Sequence, residues 1–172
     1  MELYIPDIYK KTIYDINYQK LRERGITSLI FDLDNTIAPY NIKEPSWKMK
    51  KLFKELKDKG FKLIIMTNSF RNRVKPFKDG LDVDCQAFAR KPKSKNYIKI
   101  MKFYKLEEPE IACIGDQIRT DIVGGNKMGL TTILVDPIRK GGLIVRVNSM
   151  REKTILKNLL KKDLFRRNKY YD

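Results

Sequence analysis

Between Gly25 and Asp136, short apolar runs alternate with stretches of helical character, and few folds are compatible with that order. Thr27–Asp32 is rich in strand formers, residues 46–59 read as a helix capped by Ser46 and stopped by Gly60, and Phe61–Met66 is apolar apart from Lys62. The spacing then predicts a helix over Ser69–Lys78 interrupted by Pro76, a strand over Asp84–Phe88 and a helix from Ser94 to Lys105. Ile111–Ile114, Thr120–Met128 and Thr131–Val135 follow as strand, helix and strand. Ahead of this series, residues 8–24 carry an apolar stripe at Ile13, Ile16 and Leu21 and are predicted to form one helix closed by Gly25. Strands that are apolar throughout are covered on both faces, and alternation with helices implies right-handed crossovers. The expected architecture is therefore α/β, a doubly wound parallel sheet with helices at both ends of the chain. A single domain is expected over residues 1–172, with a core at about 26–136 and a basic helical tail over 137–172.

In such sheets ligands bind beyond the C-terminal ends of the strands, so the chemistry should lie where strands finish. The first strand of the series runs out into Asp32-Leu33-Asp34-Asn35-Thr36, and the second into Thr67-Asn68-Ser69 at a helix N-terminus suited to an anion. The third leads to Arg90-Lys91-Pro92 and the fourth to Gly115-Asp116, with Thr120 and Asp121 close behind. Asp32, Asp34 and Asp116 would repel one another without a cation, and a hard ion such as Mg²⁺ would relieve that conflict while binding phosphate. A carboxylate held against such a phosphoryl group can attack phosphorus, and its neighbour can move the protons. Each residue also has a plainer use. The aspartates could open a turn, Thr67 and Asn68 could cap a helix, and Asp121 could complement a helix dipole.

Composition narrows the chemistry further. The chain has no histidine, which excludes Ser-His-Asp and Cys-His catalysis and zinc sites that need imidazole. Two cysteines, Cys85 and Cys113, make no disulfide framework and no Cys-x-x-Cys pair. Lys+Arg number 37 against 21 Asp+Glu, a net charge of +16 that points to anionic partners or to a general lysine bias. With neither a signal-peptide pattern nor a membrane-spanning run, the expected location is cytoplasmic, with peripheral contact with a membrane.

Taken together, Asp32-x-Asp34-Asn-Thr36, Thr67, Lys91-Pro92 and Gly115-Asp116…Thr120-Asp121 resemble the four motifs of haloacid dehalogenase (HAD) superfamily phosphatases, in order. The resemblance implies a HAD-like Rossmannoid fold, Asp32 as nucleophile and Asp34 as general acid/base with its main-chain carbonyl on Mg²⁺. It implies Thr67 and Asn68 as phosphate binders, Lys91 between nucleophile and phosphate, Asp32 and Asp116 as metal ligands, and Thr36 in support. Asp121 would be a ligand through water or the residue that orients Lys91.

More narrowly, Ile5-Pro6-Asp7, Ala89-Arg-Lys-Pro92 and the basic tail make the chain similar to the YqeG-type, subfamily IIIA phosphatases. That group is similar to mitochondrial phosphatidylglycerophosphate phosphatases, which implies a lipid phosphate substrate. Asp34 to Thr67 spans 33 residues and Thr67 to Lys91 spans 24, too little for a cap domain in either interval. An uncapped crevice suits a large substrate, although oligomerisation could supply a lid. The tail residues Ile155, Leu156, Leu159, Leu160, Leu164 and Phe165, interleaved with Lys153, Lys157, Lys161, Arg166 and Arg167, could lie on anionic lipid or pack on the domain. A nucleotide or nucleic-acid-end phosphatase remains an alternative, as does a basic RNA- or ribosome-binding module on a phosphatase-like fold.

Overall fold

The computed structural model of the chain describes residues 2–138 and 143–162. Six strands, β1 (Ile8–Lys10), β2 (Ser28–Phe31), β3 (Lys62–Met66), β4 (Asp84–Gln86), β5 (Ile111–Gly115) and β6 (Thr131–Val135), form one sheet in the order β1-β6-β5-β2-β3-β4. Every pairing is parallel, with Ile30 of β2 level with Ile64 on one side and Cys113 on the other. The helices between them are α1 (Tyr18–Glu23), α2 (Trp47–Asp58), α3 (Arg71–Leu81), α4 (Lys95–Tyr104) and α5 (Val123–Lys127), and α6 (Leu143–Lys161) follows β6. This is the α/β, doubly wound parallel sheet that the alternation predicts. Among the described residues, one helix and one strand fill each of the two intervals where a cap would be inserted.

Side chains alternate across the central strands and divide the core into two layers. Leu29 and Phe31 point into one layer, with Leu63, Ile65, Phe53 of α2 and Phe77 of α3. Ile30, Ile64, Met66 and Cys113 point into the other, with Tyr97 and Ile100 of α4. The short helix α5 reaches this second face closely because residues 124 and 125 are glycines. A Cβ on Gly124 would lie 2.6 Å from the Tyr97 hydroxyl, and one on Gly125 would lie 2.6 Å from Thr132 Cγ2.

The N-terminal segment corrects the expected helix over 8–24. Ile8-Tyr9-Lys10 is instead an edge strand, in register with Ile133, Leu134 and Val135 of β6. Thr12 and Asp15 close a reciprocal capping box on a single 3₁₀ turn, and Asn17 caps the six-residue α1. Ile13, Ile16 and Leu21 are buried, so the apolar stripe correctly marks the core-facing side chains while its helical period does not hold. Pairing with β6, the capping box and the Asn17 cap outweigh that period. Pro76 does not interrupt α3, whose Val74, Phe77 and Leu81 are anchored in the core on both sides of it. The helix predicted over Thr120–Met128 begins instead as a π-helical turn, Ile118–Ile122, before α5.

The described part of the tail uses its apolar stripe for packing. Leu159 is buried against Tyr9, Ile118, Ile122 and Leu134, and Ile155 and Leu156 pack beside it. Glu152 accepts hydrogen bonds from the backbone of Ile118 (2.8 Å) and Arg119 (3.2 Å), tying α6 to the π turn. Leu164, Phe165, Arg166 and Arg167 lie outside the described residues. No helix among those described is long and apolar enough to cross a membrane.

Candidate functional site

From β2 the chain steps to β3 and β4 on one side of the sheet and later to β5 and β6 on the other. The crevice is expected at this switch point, between the C-terminal ends of β2 and β5. Asp32 leaves β2 with its backbone N–H bonded to Ile114 of β5 (2.8 Å), and Asp116 leaves β5 directly opposite. Thr36 bridges the two, with its hydroxyl 3.0 Å from Asp116 Oδ1 and 3.4 Å from Asp32 Oδ2. The turn that presents Thr36 needs Asn35 in the left-handed region at φ 64°, which asparagine tolerates better than most residues.

Lys91, buried after β4, places Nζ 2.6 Å from Asp32 Oδ1 and 2.5 Å from Asp121 Oδ1. Asp121 is only 1% exposed, and its other oxygen accepts from the Gln117 backbone (3.1 Å). The π turn directs this carboxylate inward, and Gly115 leaves room for it, since a Cβ at 115 would collide with the Asp121 side chain. Burial alone would lower the Lys91 pKa, but the charges and hydrogen bonds of Asp121 and Asp32 outweigh it and hold the ammonium above its ordinary value. Burial pushes the Asp32 carboxyl up to about 7 against the pull of Lys91, with Asp121 and Asp34 adding to the rise. Burial, then the charges of Asp32 and Asp121, push Asp116 well above the usual carboxylate range.

Asp32, Asp116 and Asp121 each offer an oxygen within 4.8 Å of the others, with a single lysine among them. All-oxygen donors, mutual repulsion and an excess of negative charge fit a hard divalent cation such as Mg²⁺. The side chain of Asp34 lies outside this cluster. Ser69 Oγ donates to its Oδ2 (2.5 Å), and Arg73 Nε and Nη2 lie 2.9 and 2.8 Å from its Oδ1. Arg73 also donates to the carbonyls of Ile42 (2.8 Å) and Pro39 (3.2 Å), joining the loop after β2 to α3. Neither Ser69 nor Arg73 stands out as a site residue in the sequence, because both read as ordinary parts of a helix start. Their signal is positional, in the first residues after a strand end already marked by Thr67 and Asn68.

Thr67 is buried at the end of β3, with Oγ1 accepting from Ser69 N–H (3.1 Å). Asn68 is exposed, and its amide brackets the Lys91 backbone, accepting from N–H (2.7 Å) and donating to C=O (3.3 Å). The four strand ends thus converge, and Asn68 is engaged in fixing the lysine loop.

A family profile described as haloacid dehalogenase-like hydrolase matches residues 4–129. The chain belongs to this family. It is 35% identical over 162 residues to "Probable phosphatase YqeG" of Bacillus subtilis, an alignment covering 94% of both chains. A second relative is "Phosphatidylglycerophosphate phosphatase 1, chloroplastic/mitochondrial" of Arabidopsis thaliana, 25% identical over 93% of this chain and 49% of that protein. Among solved structures, the cobalt-bound deoxy-D-mannose-octulosonate 8-phosphate phosphatase of Haemophilus influenzae superposes with a TM-score of 0.54. Its identity is 16%, over 86% of this chain and 95% of that one, a likeness of fold.

Proposed function

We propose that the chain is a Mg²⁺-dependent phosphomonoesterase that works through an aspartyl-phosphate on Asp32 and acts on a lipid phosphate such as phosphatidylglycerophosphate. The observation that carries this reading is the Asp32 carboxylate, paired with Lys91 and facing Asp116 across the switch point of a sheet with no cap among the described residues. The relatives named as phosphatases support the reaction class, and the plant relative's name supports the substrate class.

Asp32 and Asp116, with the Asp34 main-chain carbonyl, would hold Mg²⁺, which when bound supplies positive charge that lets carboxylates and phosphoryl oxygens approach. An Asp32 oxygen attacks phosphorus, forming the acyl-phosphate bond as the ester P–O bond breaks. Asp34 gives its proton to the departing alcohol oxygen. Water then attacks the same phosphorus and Asp34 takes its proton, so that inorganic phosphate leaves and the Asp32 carboxylate is restored. Lys91 and the Thr67 hydroxyl stabilise the equatorial oxygens, and Asn68 sets the lysine loop beside them. Asp121 orients Lys91.

Purified protein is expected to hydrolyse p-nitrophenyl phosphate with Mg²⁺, to stop in EDTA and to lose that activity in Asp32→Asn. Among natural substrates it should prefer phosphatidylglycerophosphate in vesicles over nucleotides and 5′-phosphorylated oligonucleotides. A preference for oligonucleotides would overturn the lipid reading, and an inert wild type would favour a binding module.

A further inference from the structure

Four exposed aromatic side chains lie at one end of the molecule, whereas Phe103, 75% exposed, sits in the last turn of α4. Tyr40, Trp47, Phe70 and Phe88 are 67, 74, 69 and 45% exposed, and all four follow the C-terminal ends of β2, β3 and β4, where the crevice opens. The loops that carry them are tied to the site. Phe88 N–H donates to Ser69 C=O (3.1 Å), Ser69 Oγ donates to Asp34, and the Arg73 guanidinium lies 5.8 Å from the Tyr40 ring. Phe70 and Phe88 meet edge to face, with ring centroids 5.2 Å apart. Phe88 adopts φ 50°, a left-handed conformation unfavourable for a bulky side chain, without the compensation of full burial. The backbone is held so that this ring projects.

Beside the rings runs a groove of about 910 Å³ between α3 and the segment from β4 into α4. Arg71, Lys75, Lys78, Arg90, Lys95 and Lys99 line it and are exposed, with Asp79 as the carboxylate among its lining residues. Cations flanking projecting aromatic rings match an anionic bilayer, whose head groups accept charge while the layer beneath accepts rings. A single-stranded nucleic acid would instead ask for rings with open faces for stacking, whereas Phe70 and Phe88 turn edge to face on each other.

We propose that this rim is a docking surface for an anionic lipid bilayer. Phe70 and Phe88 enter the head-group layer, the groove cations bind its phosphates, and the crevice opens onto the lipid. The purpose of the surface rests on the lipid-phosphate reading above, but docking is measured apart from hydrolysis.

The test is flotation of the full chain with phosphatidylglycerol-containing vesicles and with phosphatidylcholine vesicles, beside p-nitrophenyl phosphate turnover without vesicles. In the double variant Phe70→Ser/Phe88→Asn each replacement suits its backbone, serine at a helix N-cap and asparagine at a left-handed position. Wild type is expected to float with the anionic vesicles only. The double variant should bind them at least tenfold more weakly with unchanged p-nitrophenyl phosphate turnover, and Lys75→Glu/Lys78→Glu should do the same. Wild-type affinity in both variants would overturn the surface even if phosphatidylglycerophosphate is hydrolysed. Tighter wild-type binding to a single-stranded oligonucleotide than to the vesicles would overturn the choice of partner. Flotation that depends on these residues, with phosphatidylglycerophosphate left intact, would uphold the surface and remove the substrate.

Discussion

Lys91 is buried and paired with both Asp32 and Asp121. Removing its charge leaves two buried carboxylates uncompensated, so Lys91→Ala is expected to destabilise the fold by about 3–5 kcal/mol in EDTA. Chemical denaturation reads that loss, and added Mg²⁺ should recover part of it by binding the folded state. Arg73 supports a different group. It holds Asp34 against α3 while bonding two carbonyls of the loop after β2, and we assign it a positioning role. Arg73→Ala is expected to lower kcat by about 100-fold, the scale of a misplaced catalytic group, with KM changing far less. Partial rescue by Arg73→Lys would separate loss of position from general unfolding. Gly115→Ala forces a methyl into the Asp121 carboxylate and is expected to reduce activity while the circular dichroism of the sheet persists.

How far the sequence reveals an element depends on how local its determinants are. β2, β3, β5, β6 and α2 follow from apolar runs, caps and stops within a few residues of each, and they stand where the pattern predicts. The N-terminal segment shows the opposite case. Its apolar residues suit a helix, but Ile8–Lys10 pairs with residues 125 positions away, and no local signal encodes that partner. The same limit applies within the site. The aspartates, Thr67 and Lys91 are legible as candidates because each lies at or within a few residues of a strand end, whereas Arg73 acts on Asp34 across 39 positions, a contact only the fold creates. The π turn was illegible too, since its sequence reads as an ordinary helix start while its geometry turns Asp121 inward. The tail yields a further prediction. Leu159 is buried against Tyr9, Ile118, Ile122 and Leu134, so Leu159→Ala is expected to cost about 2–5 kcal/mol. Hydrogen exchange should rise first in α6 and the π turn, since Glu152 joins them.

The net charge of +16 is distributed unevenly in function. One cation, Lys91, is spent inside the crevice, and six more line the groove beside it. The crevice itself carries the opposite sign, with Asp32, Asp116 and Asp121 around a single lysine. In the proposed mechanism a basic exterior around an acidic centre would draw anionic substrates toward the crevice, and the bound cation would let phosphate approach the carboxylates. The absence of histidine fits the proposed mechanism, in which Asp34 moves the protons. All of it depends on Asp32 being the atom donor that takes the phosphoryl group. The most direct measurement is acid-quenched turnover followed by peptide mass spectrometry. A phosphoryl adduct on Asp32, absent in Asp32→Asn, is the expected result. Sustained turnover by Asp32→Asn, with no adduct on wild-type Asp32, would contradict it.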